Sequence, residues 1–255
     1  MRALLLFLLM VLAPRCEAAS LSMWKRLCGR VQQQASDTPE VDFIQQLGLS
    51  QPKEIHYVID GGSEVGPIQV EIDIQSARKT AQGYYYGEAK ITQLRTGKES
   101  SPALTDRFAK NNFPESEGWK EKLQGKILAV GCGMGGLEVR DLHDAGYDVR
   151  GVDISLAFPI EGLLYRAAAS KLPFKEGDFD TVVSAQSVFF YADPKSNESW
   201  DLSMAAFQEA VRVLEPGGKF YFDASNSWES RFRESHPGIP LSRDKKSGFL
   251  IFEKK

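Results

Sequence analysis

The chain has 255 residues, 42% hydrophobic and 25% charged, an ordinary globular composition long enough for one large domain and additional segments. Its net charge of −3, with acidic and basic residues interspersed, leaves no electrostatic footprint for nucleic acid or for an acidic membrane surface. Cys16, Cys28 and Cys132 fit neither a metal-ligand spacing nor a disulfide framework, so no metal is expected.

Met1 to Ala19 combines Arg2, an apolar run from Ala3 to Ala13 and a small-residue end at Ala18 and Ala19, the pattern of a secretory signal peptide. Export to a periplasmic or secretory compartment is the expectation. The alternative is an uncleaved anchor, which would be the chain's one contact with a membrane, although the run is short for a bilayer span. Residues 20–116 read as an N-terminal extension with a helix and a small sheet. Within it, Val41 to Leu49 suits a helical turn or two. Ile55 to Ile59 and Ile68 to Ile74, separated by Gly61, Gly62, Gly66 and Pro67, predict a β-hairpin. Tyr84, Tyr85 and Tyr86 either continue that sheet or line a substrate pocket. Leu94 to Glu117 is rich in Ser, Lys, Asn and Pro, with Phe108, Phe113 and Trp119 as apolar anchors against the main domain.

Residues 117–255 form the main domain. Ile127 to Val130 is a continuous apolar run, as a strand buried on both faces requires, and Leu137, Leu142 and Ala145 recur at helical spacing up to Gly146, a left-handed cap residue. Between them stand Gly131, Gly133, Gly135 and Gly136. Lacking β-carbons, they allow a tight turn and close approach of a ligand, beside the free N–H groups that open the next helix. Gly131, Gly133 and Gly136 satisfy the dinucleotide spacing G-x-G-x-x-G, while Gly131, Gly133 and Gly135 satisfy the G-x-G-x-G of S-adenosylmethionine enzymes. The stretch alone does not choose between them. Cys132 reads as a small packing residue. Tyr147 to Asp153 is a second strand ending in a carboxylate about twenty residues past the glycines, placed to accept both hydroxyls of a ribose. The competing role for Asp153 is a helix cap ahead of Ser155.

Thr181 to Ser184 is a β-branched strand whose carboxyl end holds Ala185, Gln186 and Ser187 at the ligand-binding edge of an open sheet. Asn197-Glu198-Ser199 is a glycosylation sequon to which no role is assigned. Met204, Phe207, Val211 and Leu214 predict one buried helical stripe. Glu215-Pro216-Gly217-Gly218 predicts a turn that stops this helix before a strand from Lys219 to Asp223. The last strand is Gly248 to Glu253. The intervening Ala224 to Ser247 looks too short for a helical crossover, so a long antiparallel hairpin is expected.

Val130-Gly131-Cys132-Gly133-Met134-Gly135, Gly151-Val152-Asp153-Ile154-Ser155, Leu172-Pro173-Phe174 with Phe179-Asp180, and Arg212-Val213-Leu214-Glu215-Pro216-Gly217-Gly218 follow one another in that order. In this the sequence resembles the class I S-adenosylmethionine-dependent methyltransferases, specifically the small-molecule, ubiquinone-type group, from about Trp119 to Lys255. The resemblance implies an α/β, Rossmann-like doubly wound sheet of seven strands with the last strand antiparallel. It also implies S-adenosyl-L-methionine as cofactor and a small-molecule methyl acceptor as partner. Gly131, Cys132, Gly133 and Gly135 would lie against the methionine moiety and ribose, Asp153 would hold the ribose hydroxyls, Ile154 would pack on adenine, and Ala185 and Gln186 would sit beneath the sulfonium. No catalytic base is assigned; Tyr191 and His236 are the candidates. Ala129 and Ala168 stand where the family carries acids, and the segment from Asp153 to Ala168 reduces the second helix to a turn around Phe158 and Pro159. Two other readings stay open: a catalytically degenerate methyltransferase-fold binding protein and an NAD-dependent oxidoreductase.

Overall fold

Two β-sheets organise the chain, each drawn together by its own apolar faces. The structure, a computed structural model, describes residues 54–79, 85–100, 103–106, 122–245 and 247–255. The expected signal segment and everything else before residue 54, Tyr84, Phe108, Phe113 and Trp119 lie outside the described residues. Strand β1 (Glu54–Asp60) alternates exposed and half-buried positions and pairs antiparallel with β2 (Pro67–Lys79), from Glu54 opposite Asp73 to Asp60 opposite Pro67. The link is one helical turn, α1 (Gly62–Val65), closed by Gly61 N–H to Gly66 O at 2.9 Å. This is the expected hairpin. Strand β3 (Tyr85–Gln93) pairs with β2, so Tyr85 and Tyr86 do continue the sheet. The stretch from Leu94 to Glu117, to which the sequence reading assigns no element, contributes β4 (Lys98–Ser100) and β5 (Ala103–Asp106), both paired with β3. Their polar residues concealed them. Ile68, Val70, Ile72 and Ala89 are buried on this sheet.

The second sheet has seven strands: β6 (Lys126–Val130), β7 (Asp148–Asp153), β8 (Leu164–Arg166), β9 (Phe179–Ser184), β10 (Leu214–Phe222), β11 (Ser242–Arg243) and β12 (Leu250–Glu253). Their spatial order is β11-β12-β10-β9-β6-β7-β8, parallel from β10 to β8, with β12 antiparallel to β10 and β11 antiparallel to β12. Strand β6 shows why its run is apolar throughout. Leu128 and Val130 enter one buried cluster while Ile127 and Ala129 enter the other, so both faces are covered. The expected α/β sheet with an antiparallel end is the one observed. Both sheets belong to one compact unit, Ser50–Lys255. Among the described residues no helix is long and apolar enough to cross a membrane.

Helix α2 (Leu137–Asp144) follows the glycines and ends before Gly146, at φ 93°. After β7 the chain makes turns instead of a helix, as the short segment predicts, and then forms β8, for which the sequence offered no pattern. One turn, α3 (Val188–Tyr191), precedes α4 (Asn197–Val213), whose Ser196 side chain accepts the Ser199 N–H as its cap. The buried stripe of α4 is Trp200, Met204, Phe207, Ala210 and Val213; Val211 is only partly covered, and Leu214 already begins β10.

Two expectations are corrected at the end of the chain. Glu215-Pro216-Gly217-Gly218 is not a turn ahead of the strand but an irregularity within β10, where the register with β9 jumps between Leu214 and Lys219. A β-carbon on Gly218 would stand 2.9 Å from the Asp180 and Glu215 carbonyl oxygens, so only glycine lets the bulge lie this close. The long hairpin is corrected in its link alone: β10 and β12 do pair antiparallel, but α5 (Asn226–Ser235) and the short edge strand β11 fill the span between them. A ten-residue helix is only about 15 Å long, so it fits the available chain. Just two large apolar residues drive it inward, Trp228 and Phe232, stacked at 5.0 Å and fully buried among Phe207, Phe220 and Phe222, which is why its periodicity was faint.

Trp228 Nε1 donates to Ser203 Oγ at 2.9 Å inside this cluster. Trp228→Ala is expected to lower unfolding stability by about 3–5 kcal/mol, and Ser203→Ala by about 1–3 kcal/mol through the unpaired indole N–H, both measured by urea denaturation. Lys122 and Asp244 form a second tie, Nζ to Oδ2 at 2.6 Å, with Ser247 Oγ donating to the same carboxylate. These donors hold the Asp244 carboxyl well below its usual range. A carboxyl depressed in the folded state stabilises above its unfolded pKa and ceases to do so as pH falls. The stability lost in Asp244→Asn is therefore expected to be largest near neutral pH and to shrink below about pH 4, read from thermal unfolding across pH.

Candidate functional site

Strand order reverses between β6 and β9, and the carboxyl ends of β6, β7 and β9 face the same side at that switch point, where open α/β sheets bind ligands. The loop leaving β6 is pinned there by the backbone: Gly131 N–H and Cys132 N–H both donate to Val152 O, at 2.8 and 3.1 Å. Gly131, Gly133 and Gly136 have φ of 80°, 83° and 63°, the left-handed region that glycine enters without strain. At Gly136 packing adds a second demand. A β-carbon would fall 2.5 Å from Cδ2 of Leu164, itself buried in the core.

Asp153, at the tip of β7, binds both sides of this junction. Its Oδ2 accepts Gly133 N–H at 2.8 Å, and its Oδ1 accepts Ser155 N–H at 2.7 Å and Ser155 Oγ–H at 2.6 Å. The carboxylate caps no helix; it forms a local turn with Ser155 and holds the glycine loop from across the sheet edge. At the end of β9, Gln186 takes φ 46°, rare for a side-chain-bearing residue and costing about 1–3 kcal/mol. Its N–H donates to Asp223 Oδ1 at 2.7 Å, which fixes the strained backbone.

A cavity of about 460 Å³ opens over these strand ends, within the ~300–1,000 Å³ common for small-molecule sites. Gly131, Gly133, Asp153, Ile154 and Gln186 line it, as do Ser155 and Ala168. Cys132, Gly135 and Ala185 do not belong to its lining. Cys132 is buried in the core cluster behind the loop, Ala185 packs against that cluster, and the Gly135 carbonyl accepts Arg140 Nε at 2.9 Å. Ala129 faces that cluster too, so the position filled by an acid in the family points away from the cavity here, whereas Ala168 offers it a methyl group. Tyr191 lines the cavity and is 67% exposed. His236 does not line it; its ring stacks on Phe232 at 5.1 Å and its Nδ1 pairs with Ser235 Oγ.

The opposite wall was not foreseen. It comes from α1, through Val65, from the N-terminal sheet, through Ile68, Ile91 and Lys98, and from α4, through Glu198 and Leu202. Tyr57 of β1 joins the two sheets: its hydroxyl donates to Ile154 O at 2.6 Å, and the Arg166 guanidinium lies 4.3 Å from its ring centre. Burial pushes the Tyr57 hydroxyl above its usual range, opposed by Arg166 and reinforced by Asp153, so it remains a donor. Arg166 also donates to Leu156 O and Ala157 O, bracing the turns after Asp153. Lys98 and Glu198 meet at 2.6 Å across a hundred residues of sequence. A lone tyrosine in a strand carries no sequence signal for such a role.

The lining presents glycine backbone, one carboxylate at a strand tip and a broad apolar surface. Among the described residues no group of three or more His, Cys, Asp or Glu side chains is arranged to hold a metal.

Gly136→Ala is expected to destabilise the fold by about 1–3 kcal/mol, since strain and a core clash act together. Gly146→Ala, with φ 93° and no neighbour within 4 Å of the added carbon, should cost less. Paired urea denaturation curves measure the difference.

Residues 128–222 match a family model described as a methyltransferase domain. No curated protein matches the chain. Among solved structures, the chain is similar to an S-adenosylmethionine-dependent methyltransferase of Methanosarcina mazei, at 25% identity over 53% of this chain and 76% of that one, with a TM-score of 0.33. It is similar to a Thermotoga maritima S-adenosylmethionine-dependent methyltransferase at 16% identity, covering 52% and 83%, with a TM-score of 0.33. A Pyrococcus horikoshii protein gives 23% identity, 58% and 80% coverage, and a TM-score of 0.32. The stretch that matches the methyltransferase-domain model holds the glycine loop, Asp153 and Gln186, and it lies in a seven-stranded α/β sheet with an antiparallel end.

Proposed function

We propose that the cavity binds S-adenosyl-L-methionine along its β6–β7 wall and that the protein methylates a small-molecule acceptor enclosed by the N-terminal sheet. The observation that carries this reading is Asp153, which lines the cavity beside Gly131 and Gly133 while its own hydrogen bonds hold the loop in place. When bound, the cofactor supplies a sulfonium-activated methyl group, so the protein's task is alignment and exclusion of water.

A carboxylate oxygen accepts two hydrogen bonds, and Oδ1 of Asp153 already has two while Oδ2 has one. Asp153 therefore takes one ribose hydroxyl at Oδ2. Ser155 Oγ, which donates to Oδ1 and lines the cavity, is free to accept the other. Ile154 is the apolar partner for adenine, with its carbonyl anchored by Tyr57. Gly131 and Gly133 allow the methionine portion to approach the backbone, and Gln186 stands at the reacting edge. A second reading, a methyltransferase fold that binds without turnover, draws on Ala168, where a methyl group replaces a hydrogen-bonding carboxylate.

Calorimetric titration of the full chain with S-adenosylmethionine is expected to give saturable binding. Asp153→Ala should weaken it by about 10- to 100-fold, since a hydrogen bond to a charged group contributes roughly 1.5–3 kcal/mol. Absence of both heat and thermal stabilisation at millimolar ligand would overturn the proposal. Saturable binding with no methyl transfer to any acceptor tried would favour the second reading.

A further inference from the structure

Among the described residues, Gln186 is the one non-glycine residue at positive φ, 46°. A backbone held in this region is strained, and such strain clusters at sites whose surroundings enforce it for a purpose. The enforcing group is Asp223, just past β10. Its N–H donates to Ser184 O at 3.2 Å and its Oδ1 accepts the Gln186 N–H at 2.7 Å, so one residue holds the end of β9 at two points. One residue on, Ser187 is carried against the glycine loop: a β-carbon on Gly131 would overlap the Ser187 hydroxyl and stand 2.5 Å from Ser187 Cβ. Gln186 and Ser187 both line the cavity, whereas Asp223 stands behind them, outside its lining. The pattern mirrors Asp153. In the strand order β10-β9-β6-β7, the two strands that flank the switch point each send a carboxylate inward, Asp153 to the loop of β6 and Asp223 to the loop of β9.

We propose that Asp223 is a positioning residue for cofactor binding: it holds the Gln186–Ser187 turn in the strained conformation that seats this wall of the cavity against Gly131. Without the carboxylate the Gln186 backbone relaxes toward negative φ, and a ligand that needs the seated wall must restore the strain as it binds. Affinity then falls by the fraction of molecules that remain seated, about tenfold for strain of this kind. Glycine enters the same conformation without strain, so at position 186 it makes the seated turn independent of Asp223. Asp223 acts through Gln186, and no proton transfer is assigned to it. The inference rests on the methyltransferase reading, because S-adenosylmethionine is the ligand that reports it.

Two mutant cycles on the full chain test the two halves of this inference. In urea denaturation without ligand, Gln186→Gly is expected to raise the midpoint of wild type by removing the strain, and to bring no gain to Asp223→Ala, in which the turn has already relaxed. The cooperative transition of each variant also shows that it is folded. In calorimetric titration with S-adenosylmethionine, Asp223→Ala should weaken binding by about tenfold, and Asp223→Asn, which keeps an oxygen acceptor, by less than about threefold. Asp223→Ala combined with Gln186→Gly should bind within about threefold of Gln186→Gly alone, since glycine needs no support to hold the turn. Equal midpoint gains from Gln186→Gly in both backgrounds would show that Asp223 does not hold the strain. Binding by Asp223→Ala as tight as wild type, or an equal loss on removing Asp223 with glutamine or glycine at 186, would sink the positioning role alone. If wild type fails to bind S-adenosylmethionine while the urea cycle behaves as expected, the cofactor assignment falls and takes the positioning role with it.

Discussion

The carboxylate of Asp153 is the constraint on which the site depends. It joins the ends of two adjacent parallel strands by accepting the Gly133 amide on one oxygen and both donors of Ser155 on the other. Charge-assisted bonds of this kind are stronger than neutral ones, and here they hold a loop that glycine would otherwise leave free to move. The positive φ values of Gly131, Gly133 and Gly136 supply the path, and Val152 O receives the first two amides of the turn. Flexibility is spent on reaching an unusual conformation, and Asp153 then removes what remains.

The second wall of the cavity gives this domain its individual character. Tyr57 ties β1 to the carbonyl of Ile154, and Arg166 stacks on the same ring while bracing the turns that follow. Lys98 and Glu198 tie the N-terminal sheet to α4 at another point. The N-terminal sheet is thus coupled to the backbone of Asp153 and Ile154 instead of hanging beside the domain. One cavity is lined both by a strand-tip carboxylate of the large sheet and by apolar side chains of the N-terminal one.

The aromatic cluster around Trp228 explains how the chain closes. Phe189, Trp200, Phe222 and Phe232 contact that ring, and Ser203 satisfies its N–H without opening the core. Helix α5 exists because this cluster needs Trp228 and Phe232 from one side; its remaining positions are polar enough to pass for a loop.

Local residues determined the parts of the fold governed by local physics. The double-sided apolar run of Ile127 to Val130, the glycines after it, the carboxylate ending Tyr147 to Asp153 and the β-branched Thr181 to Ser184 announce buried parallel strands and a ligand edge, because burial on both faces and positive φ each demand particular residue types at adjacent positions. The hairpin of β1 and β2 was legible for the same reason. What only the tertiary structure decided depends on partners distant in sequence: Ala129 turned into the core, Cys132 behind the loop, β10 absorbing Glu215 to Gly218 as a bulge, and α5 formed around two aromatic residues. The cavity wall from the N-terminal sheet and α4 belongs to this class. Lys98 reaches Glu198, and Tyr57 reaches Ile154, only once two sheets have packed, so their meeting is set by the register and docking of whole elements and leaves no mark on the residues beside them.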